Sequence, residues 1–216
     1  MIKNLSEQNS ILNEFIAEVR DSEIQKDSMR FRRNLERIGE IFAFEVSKYL
    51  EFSSKEVVTS LGVTEIPVLK DQPVIATILR AGLPLHQGLL NYFDRAQNAF
   101  VSAYRRHHKS GKFDIQVEYT STPSLEDKVL ILSDPMIATG SSMFLAYKRL
   151  LENGKPKHTH IITVIASAQG IEYLIKHISN DEFTLWVAGV DDELTAQSYI
   201  VPGLGDAGDL AYGSKL

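Results

Sequence analysis

The stretch "VLILSDPMIATGSSM", residues 129–143, holds the side chains best placed to do chemistry. Its four leading apolar residues predict a buried central strand, whose end delivers Asp134 and then a loop into a helix. Open α/β sheets bind ligands at such strand ends. Thr139, Gly140, Ser141 and Ser142 supply backbone N–H groups and hydroxyls where that helix begins. The helix dipole and the unpaired donors both favour an anion there, so the loop suits a phosphate monoester. The lysine of a G-x-x-x-x-G-K-[ST] loop is missing, which argues against ATP hydrolysis. The competing reading of the same residues is an aspartate at a strand end before an ordinary capped helix.

A second candidate is "IVPGLGDAGDLAYG", residues 200–213, where Gly203, Gly205 and Gly208 spell G-x-G-x-x-G. A dinucleotide fingerprint follows a strand early in a βαβ unit and has an acid about 20 residues later. Only 8 residues follow Gly208, so that helix, strand and acid have no room. A loose tail is the other reading. It does not explain a proline, glycines and Asp206 and Asp209 closing on Tyr212. His158 and His160 alternate along one strand and could ligate metal, but no third ligand is evident, so both are expected at the surface. There is no G-x-S-x-G elbow to support a Ser-His-Asp triad.

The elements that must position these residues follow from periodicity. Ile11, Leu12, Phe15, Ile16 and Val19 recur at helical spacing, as do Phe31, Leu35, Ile38, Phe42, Val46 and Tyr49. After Leu61 the pattern changes to short apolar runs: "PVIATILRAG" (73–82), "KVLILSD" (128–134), "HTHIITVIASAQG" (158–170) and "FTLWVAGVDD" (183–192). Helical segments intervene at 85–93, opened by Pro84, at 141–154, where Gly154 is expected as the C′ glycine, and at 171–179. "AFVSAYRR" (99–106) and "FDIQVEYTS" (113–121) predict a two-stranded arm turning near Gly111. Buried strands alternating with helices mean an α/β fold with a parallel sheet.

Composition narrows the function classes. The 216 residues carry a formal net charge of −5, against polynucleotide binding as the main task. The absence of cysteine excludes disulfides, thiolate metal sites and Cys nucleophiles. The first residues lack a signal-peptide apolar core, and no apolar run is long enough to span a bilayer, so a soluble cytoplasmic protein is expected, with no membrane partner.

Four motifs, in order, now give a specific resemblance: "ILRAG" (78–82), "AYR" (103–105), "VLILSDPMIATGS" (129–141) and "YIVPGLGDAGD" (199–209). Together they resemble the type I phosphoribosyltransferases. Pro135, standing where that signature carries a second acid, is similar to the uracil phosphoribosyltransferase branch. The resemblance runs from about Ile78 to the last residue. It implies one domain over 1–216, with N-terminal helices at about 5–50 and a core of parallel sheet flanked by helices at about 70–192. It also implies a β-arm at about 105–121 and a C-terminal base-binding hood at about 193–216.

The implied reaction is uracil + 5-phosphoribosyl-1-pyrophosphate (PRPP) → UMP + pyrophosphate, in pyrimidine salvage, with Mg²⁺ as cofactor. Arg80, Asp134 and Asp206 are the implied catalytic residues. PRPP would be held by Arg80, Arg105, Asp134, Pro135, Met136, Ile137, Ala138, Thr139, Gly140, Ser141, Ser142 and Asp206. In that set the 5′-phosphate sits on 138–142, Asp134 takes the ribose hydroxyls and Arg80 lies on the pyrophosphate loop, where the family can carry a non-proline cis peptide. Uracil would meet Ile200, Gly205, Asp206 and Ala207. Mg²⁺ would be held mainly by PRPP, with Asp206 as the protein's candidate ligand. Arg106, His107, His108 and Lys109 extend the basic cluster beside Arg105 and are expected as a solvated hairpin.

The chain departs from the family pattern at "LPLHQG" (83–88), "GSS" (140–142) and "SAQG" (167–170). The first of these weakens the carry-over of GTP, an activator of some relatives. A homodimer or larger homo-oligomer is implied, with the arm reaching across. Two other readings of the same fold are a PRPP- or UMP-sensing RNA-binding regulator, disfavoured by the acidic charge, and a phosphoribosyltransferase for a purine or orotate, disfavoured by the tail.

Overall fold

The computed structural model describes residues 1–107 and 113–214; over 103–107 and 113–117 it describes the backbone only. The chain opens with a short strand β1 (Ile2–Asn4) and two helices, α1 (Leu12–Arg20) and α2 (Ser28–Ser47). Asp27 starts α2 by accepting the Met29 and Arg30 N–H groups at 3.0 and 3.1 Å. A hairpin follows, β2 (Phe52–Val58) and β3 (Val63–Leu69), and then the core: β4 (Val74–Leu79), α3 (Leu83–Leu90), β5 (Gln97–His107) and β6 (Phe113–Ser121). The second half contains β7 (Val129–Ser133), β8 (Met136–Ile137), α4 (Ser141–Leu151), β9 (His158–Ser167), α5 (Ala168–His177) and β10 (Phe183–Asp191). The tail forms β11 (Glu193–Leu194), β12 (Ile200–Val201) and α6 (Ala207–Tyr212).

The main sheet runs β1-β10-β9-β7-β4-β5-β6, with β8 added to β9. All of its pairings are parallel except β5 with β6. Alternate residues of each strand enter opposite cores. Ile75, Ile131, Ile162 and Trp186 pack with α1, α2 and α3, while Val74, Leu130, Leu132 and Leu185 pack with α4 and α5. Burial on both faces is why these strands read as continuous apolar runs rather than as alternations. The chain passes from β4 to β5 on one side and places β7 on the other. Strand order therefore reverses between β4 and β7, and the loops leaving them part to open a crevice. Among the described residues no helix is long and apolar enough to cross a membrane.

Two expectations need correction, and one element went unforeseen. His160 is not at the surface but 3 % exposed, because its strand lies inside the sheet, and its Nδ1 accepts the Trp186 Nε1–H at 3.2 Å. His158, half-buried, pairs with the Thr184 hydroxyl at 2.9 Å, and among the described residues no three potential ligands cluster around a metal position. Gly154 has φ +117° but lies two residues beyond the Glu152 cap, since α4 ends three residues earlier than its periodicity predicts. The β2–β3 hairpin was not anticipated. It stands off the body with Phe52, Val58, Val63 and Ile66 exposed.

Burial, aided by the neighbouring His158, pushes the His160 imidazole down to about 3, so it stays neutral in the fold. A histidine depressed in this way contributes stability that is present above its unfolded value near 6.5 and lost as pH falls toward 3. Between pH 7.5 and 5 the unfolding free energy from urea titration should therefore fall further for the wild type than for His160→Gln, by about 2 kcal/mol. Equal falls would contradict this placement.

Candidate active site

The crevice between β4 and β7 is stitched at its floor. The Thr77 hydroxyl donates to the Ser133 carbonyl at 3.1 Å, and the Ser133 hydroxyl donates to the Ala76 carbonyl at 3.2 Å. Beyond β4 the chain folds straight back on itself. A Cβ at Gly82 would lie 2.0 Å from Thr77 Oγ1 and 2.7 Å from the Ile78 carbonyl, so only glycine permits that loop. The Leu79–Arg80 peptide within it is cis.

From β7, Asp134 turns its carboxylate over the same floor and accepts the Met136 N–H at 3.3 Å. Met136 and Ile137 then pair with β9, which buries the Ile137 side chain in the core and leaves its backbone to the loop. Gly140, at φ +79°, opens α4 and has no side chain to cap it; the Ser141 N–H meets the Thr139 hydroxyl at a long 3.4 Å, and no N-cap side chain answers the donors that follow. The loop is held from behind by "SAQG". The Ser167 hydroxyl donates to the Ala138 carbonyl and accepts the Gly170 N–H, at 2.9 Å. A Cβ at Gly170 would come within 2.4 Å of the same carbonyl.

The tail closes the crevice from above. Arg20 grips both carboxylate oxygens of Asp191 at 2.8 and 2.9 Å and donates to the Gly203 carbonyl at 3.0 Å. Gly203 in turn donates its N–H to Asp191 at 2.9 Å. Burial alone would raise Asp191, but the Arg20 guanidinium and the Gly203 N–H outweigh it and hold the carboxyl below its usual range. From this clasp the chain turns through Gly203 and Gly205, both at positive φ, into α6. Asp206 is the N-cap: its Oδ1 accepts the Gly208 and Asp209 N–H groups at 2.9 and 3.0 Å. Beneath lies a cavity of about 110 Å³, with Arg80, Asp134, Ser142, Asp206 and Gly208 in its walls. A larger cavity, about 350 Å³, opens at the opposite ends of the strands, beside Gln97 and Val129 where β5 and β7 begin, away from Arg80, Asp134 and Asp206.

Comparisons with known proteins bear on the family and the fold. The family model described as "Uracil phosphoribosyltransferase" matches residues 6–214. The chain belongs to that family. A Porphyromonas gingivalis protein named uracil phosphoribosyltransferase is 55% identical over 213 residues, covering 99% of this chain and 98% of its own length. A Thermococcus gammatolerans protein of the same name is 38% identical, covering 97% and 92%. Among solved structures, the AQ2163 protein of Aquifex aeolicus superposes with a TM-score of 0.87 over 100% of both chains, at 26% identity.

Arg80, Asp134, Ser142 and Asp206, singled out from sequence, thus share one cavity wall, and Ala138–Ser141 form the adjoining loop. Ile200 and Ala207 are buried under the hood and Gly205 is exposed at its turn. Arg105, with Arg106 and His107, lies on the arm beyond the last β4–β5 pair, but its side chain is outside the described residues, as are His108, Lys109 and the turn near Gly111. Sequence reasoning missed the Arg20–Asp191 clasp, the Ser167 brace and the contacts of Arg80 with the hood. Ser167 carried a local signal, a serine three residues before a glycine at a helix start. The two arginine contacts are long-range and had none.

Burial pushes the Asp134 carboxyl up to about 7, against the opposing Met136 N–H. A carboxyl raised in this way contributes stability that is full below its unfolded value and lost as pH rises through about 7. Between pH 4 and 8 the wild type should lose stability relative to Asp134→Asn, by about 4 kcal/mol at most. Carboxyl ¹³C shifts should show a midpoint near 7 that is missing in the variant. A midpoint near 4 would contradict the enclosure of Asp134.

Proposed function

We propose that this chain transfers the phosphoribosyl group of PRPP to uracil, giving UMP and pyrophosphate. The observation that carries the reading is the convergence of a phosphate-type loop, two carboxylates and an arginine on one strand-end cavity, under a turn of exposed backbone. The uncapped start of α4 supports placing the 5′-phosphate on 138–142. Asp134, which its raised pKa of about 7 leaves ionised above neutral pH, accepts hydrogen bonds from the two ribose hydroxyls. As the C1′–oxygen bond to pyrophosphate breaks and the bond to uracil N1 forms, Arg80 faces the negative charge gathering on the leaving group. The proton on N1 is released with the new bond.

The hood supplies the choice of base. Uracil presents an acceptor–donor–acceptor edge, and backbone groups at Ile200, Gly205, Asp206 and Ala207 can match it. The cap uses the N–H groups of Gly208 and Asp209, which leaves that of Ala207 outside it. Cytosine reverses part of the pattern and would strand buried polar groups, discrimination on the order of 10⁴.

The donor set also fits Mg²⁺ held mainly by substrate. Two carboxylates reach the cavity, and among the described residues there is no third acid or histidine to complete a protein-only site. With Oδ1 committed to the cap, Asp206 has its second oxygen to offer. The ion would supply charge neutralisation on the diphosphate. The reading also carries a homodimer or larger assembly with the arm reaching across, and a single-protomer mass in sedimentation would contradict it.

The test is to mix the protein with PRPP, Mg²⁺ and uracil, with cytosine, hypoxanthine and orotate in parallel. UMP from uracil alone is expected; product from another base and none from uracil would overturn the reading. Asp206→Asn keeps an N-cap but removes the charge, so it should lower kcat/KM by about 10²-fold with unchanged melting. Near-normal kcat/KM would refute the role of the carboxylate.

A further inference from the structure

Arg80 does not stand alone at the cavity. Its Nη2 donates to Asp209 Oδ1 at 3.2 Å and to the Gly213 carbonyl at 3.1 Å, both on the hood. Its Nε is buried and has no hydrogen-bond partner. Both charged side chains are 38% exposed. A pair so exposed adds little to stability, because solvent screens it. What the contact does is orient: Nη2 is taken, and Nε–H is left as a buried donor whose cost a bound anion would remove.

Asp209 is itself fixed at both ends of α6. Its N–H is bound by the Asp206 cap, and its carbonyl accepts the Gly213 N–H at 2.8 Å. Arg32 anchors the far end, donating to the Ala211 carbonyl at 2.6 Å and lying 5.9 Å from the Tyr212 ring centre. One helical turn therefore carries Asp206 to the base side and Asp209 to the arginine.

We propose that Asp209 is a positioning residue for the pyrophosphate group: with the Gly213 carbonyl it sets the Arg80 guanidinium, so that PRPP meets an arginine placed by the same turn that receives the base. This rests on the reading that Arg80 faces the diphosphate. It adds a physical link between base hood and pyrophosphate loop that neither the Arg-Ala-Gly motif nor the glycine-rich motif reveals by itself.

The experiment measures Mg²⁺–PRPP binding by calorimetry, with the KM of uracil alongside, for the wild type, Asp209→Ala, Asp209→Asn, Arg80→Ala and the Arg80→Ala/Asp209→Ala double variant. Asp209→Ala should weaken PRPP about tenfold with the uracil KM unmoved. Asp209→Asn, whose amide oxygen still accepts, should recover most of that loss. In the double variant Asp209→Ala should add nothing to Arg80→Ala. Additive losses, unchanged PRPP affinity in Asp209→Ala, or an equal shift in the uracil KM from a misfolded hood would each overturn the proposal. PRPP binding without UMP formation would sink the proposed reaction while leaving this linkage readable.

Discussion

Arg20 and Asp191 are 171 residues apart in the chain, yet the hood depends on their meeting. Asp191 ends β10 nearly buried, and a carboxylate there is tolerable only if its charge is answered. The Arg20 guanidinium answers it bidentately, and the remaining hydrogen bonds go to both backbone groups of Gly203. A Cβ at Gly203 would stand 2.2 Å from the Ile200 carbonyl, so the turn that follows is as tight as the clasp requires. Breaking such a buried pair costs roughly 3 kcal/mol, and here it would also release the segment over the crevice.

The crevice itself is a consequence of topology. Parallel strands covered on both faces expose reactive groups only at their ends, and the reversal between β4 and β7 is where loops can diverge. Close backbone approach then shapes it: Gly82 lies on the Thr77 hydroxyl, and Gly170 lies on the phosphate-type loop. Neither position leaves room for a methyl group. Scaffold and site are thus held by the same packing, with the acid and arginine chemistry added at the loop tips.

Much of this was legible because the signals are local. The apolar run 129–132, Asp134 and the Thr-Gly loop announce strand, turn and helix start in one stretch, and the structure contains them in that order. The G-x-G-x-x-G spelling of the tail misleads when read as letters, and its place after the last core strand corrects it. What stayed hidden was long-range. His160 looks like a surface alternation until β7 and β10 pair on either side of its strand. The β2–β3 hairpin had β-branched residues on both sides of Gly62, but without burial it lacked the apolar alternation that marks a core strand. Asp209 reads as one more acid in a polar tail until the fold brings Arg80 beside it.

In the proposed reaction a glycine-rich hood, clasped over a strand-end crevice, chooses the base while the β7–α4 loop holds the phosphate. A crystal structure with UMP tests it most directly. The phosphate is expected within about 3 Å of the backbone N–H groups of residues 138–142, with the uracil edge on the backbone of Ile200, Gly205 and Ala207. A nucleotide seated in the larger cavity beside Gln97 and Val129, or a base turned away from the hood, would contradict it.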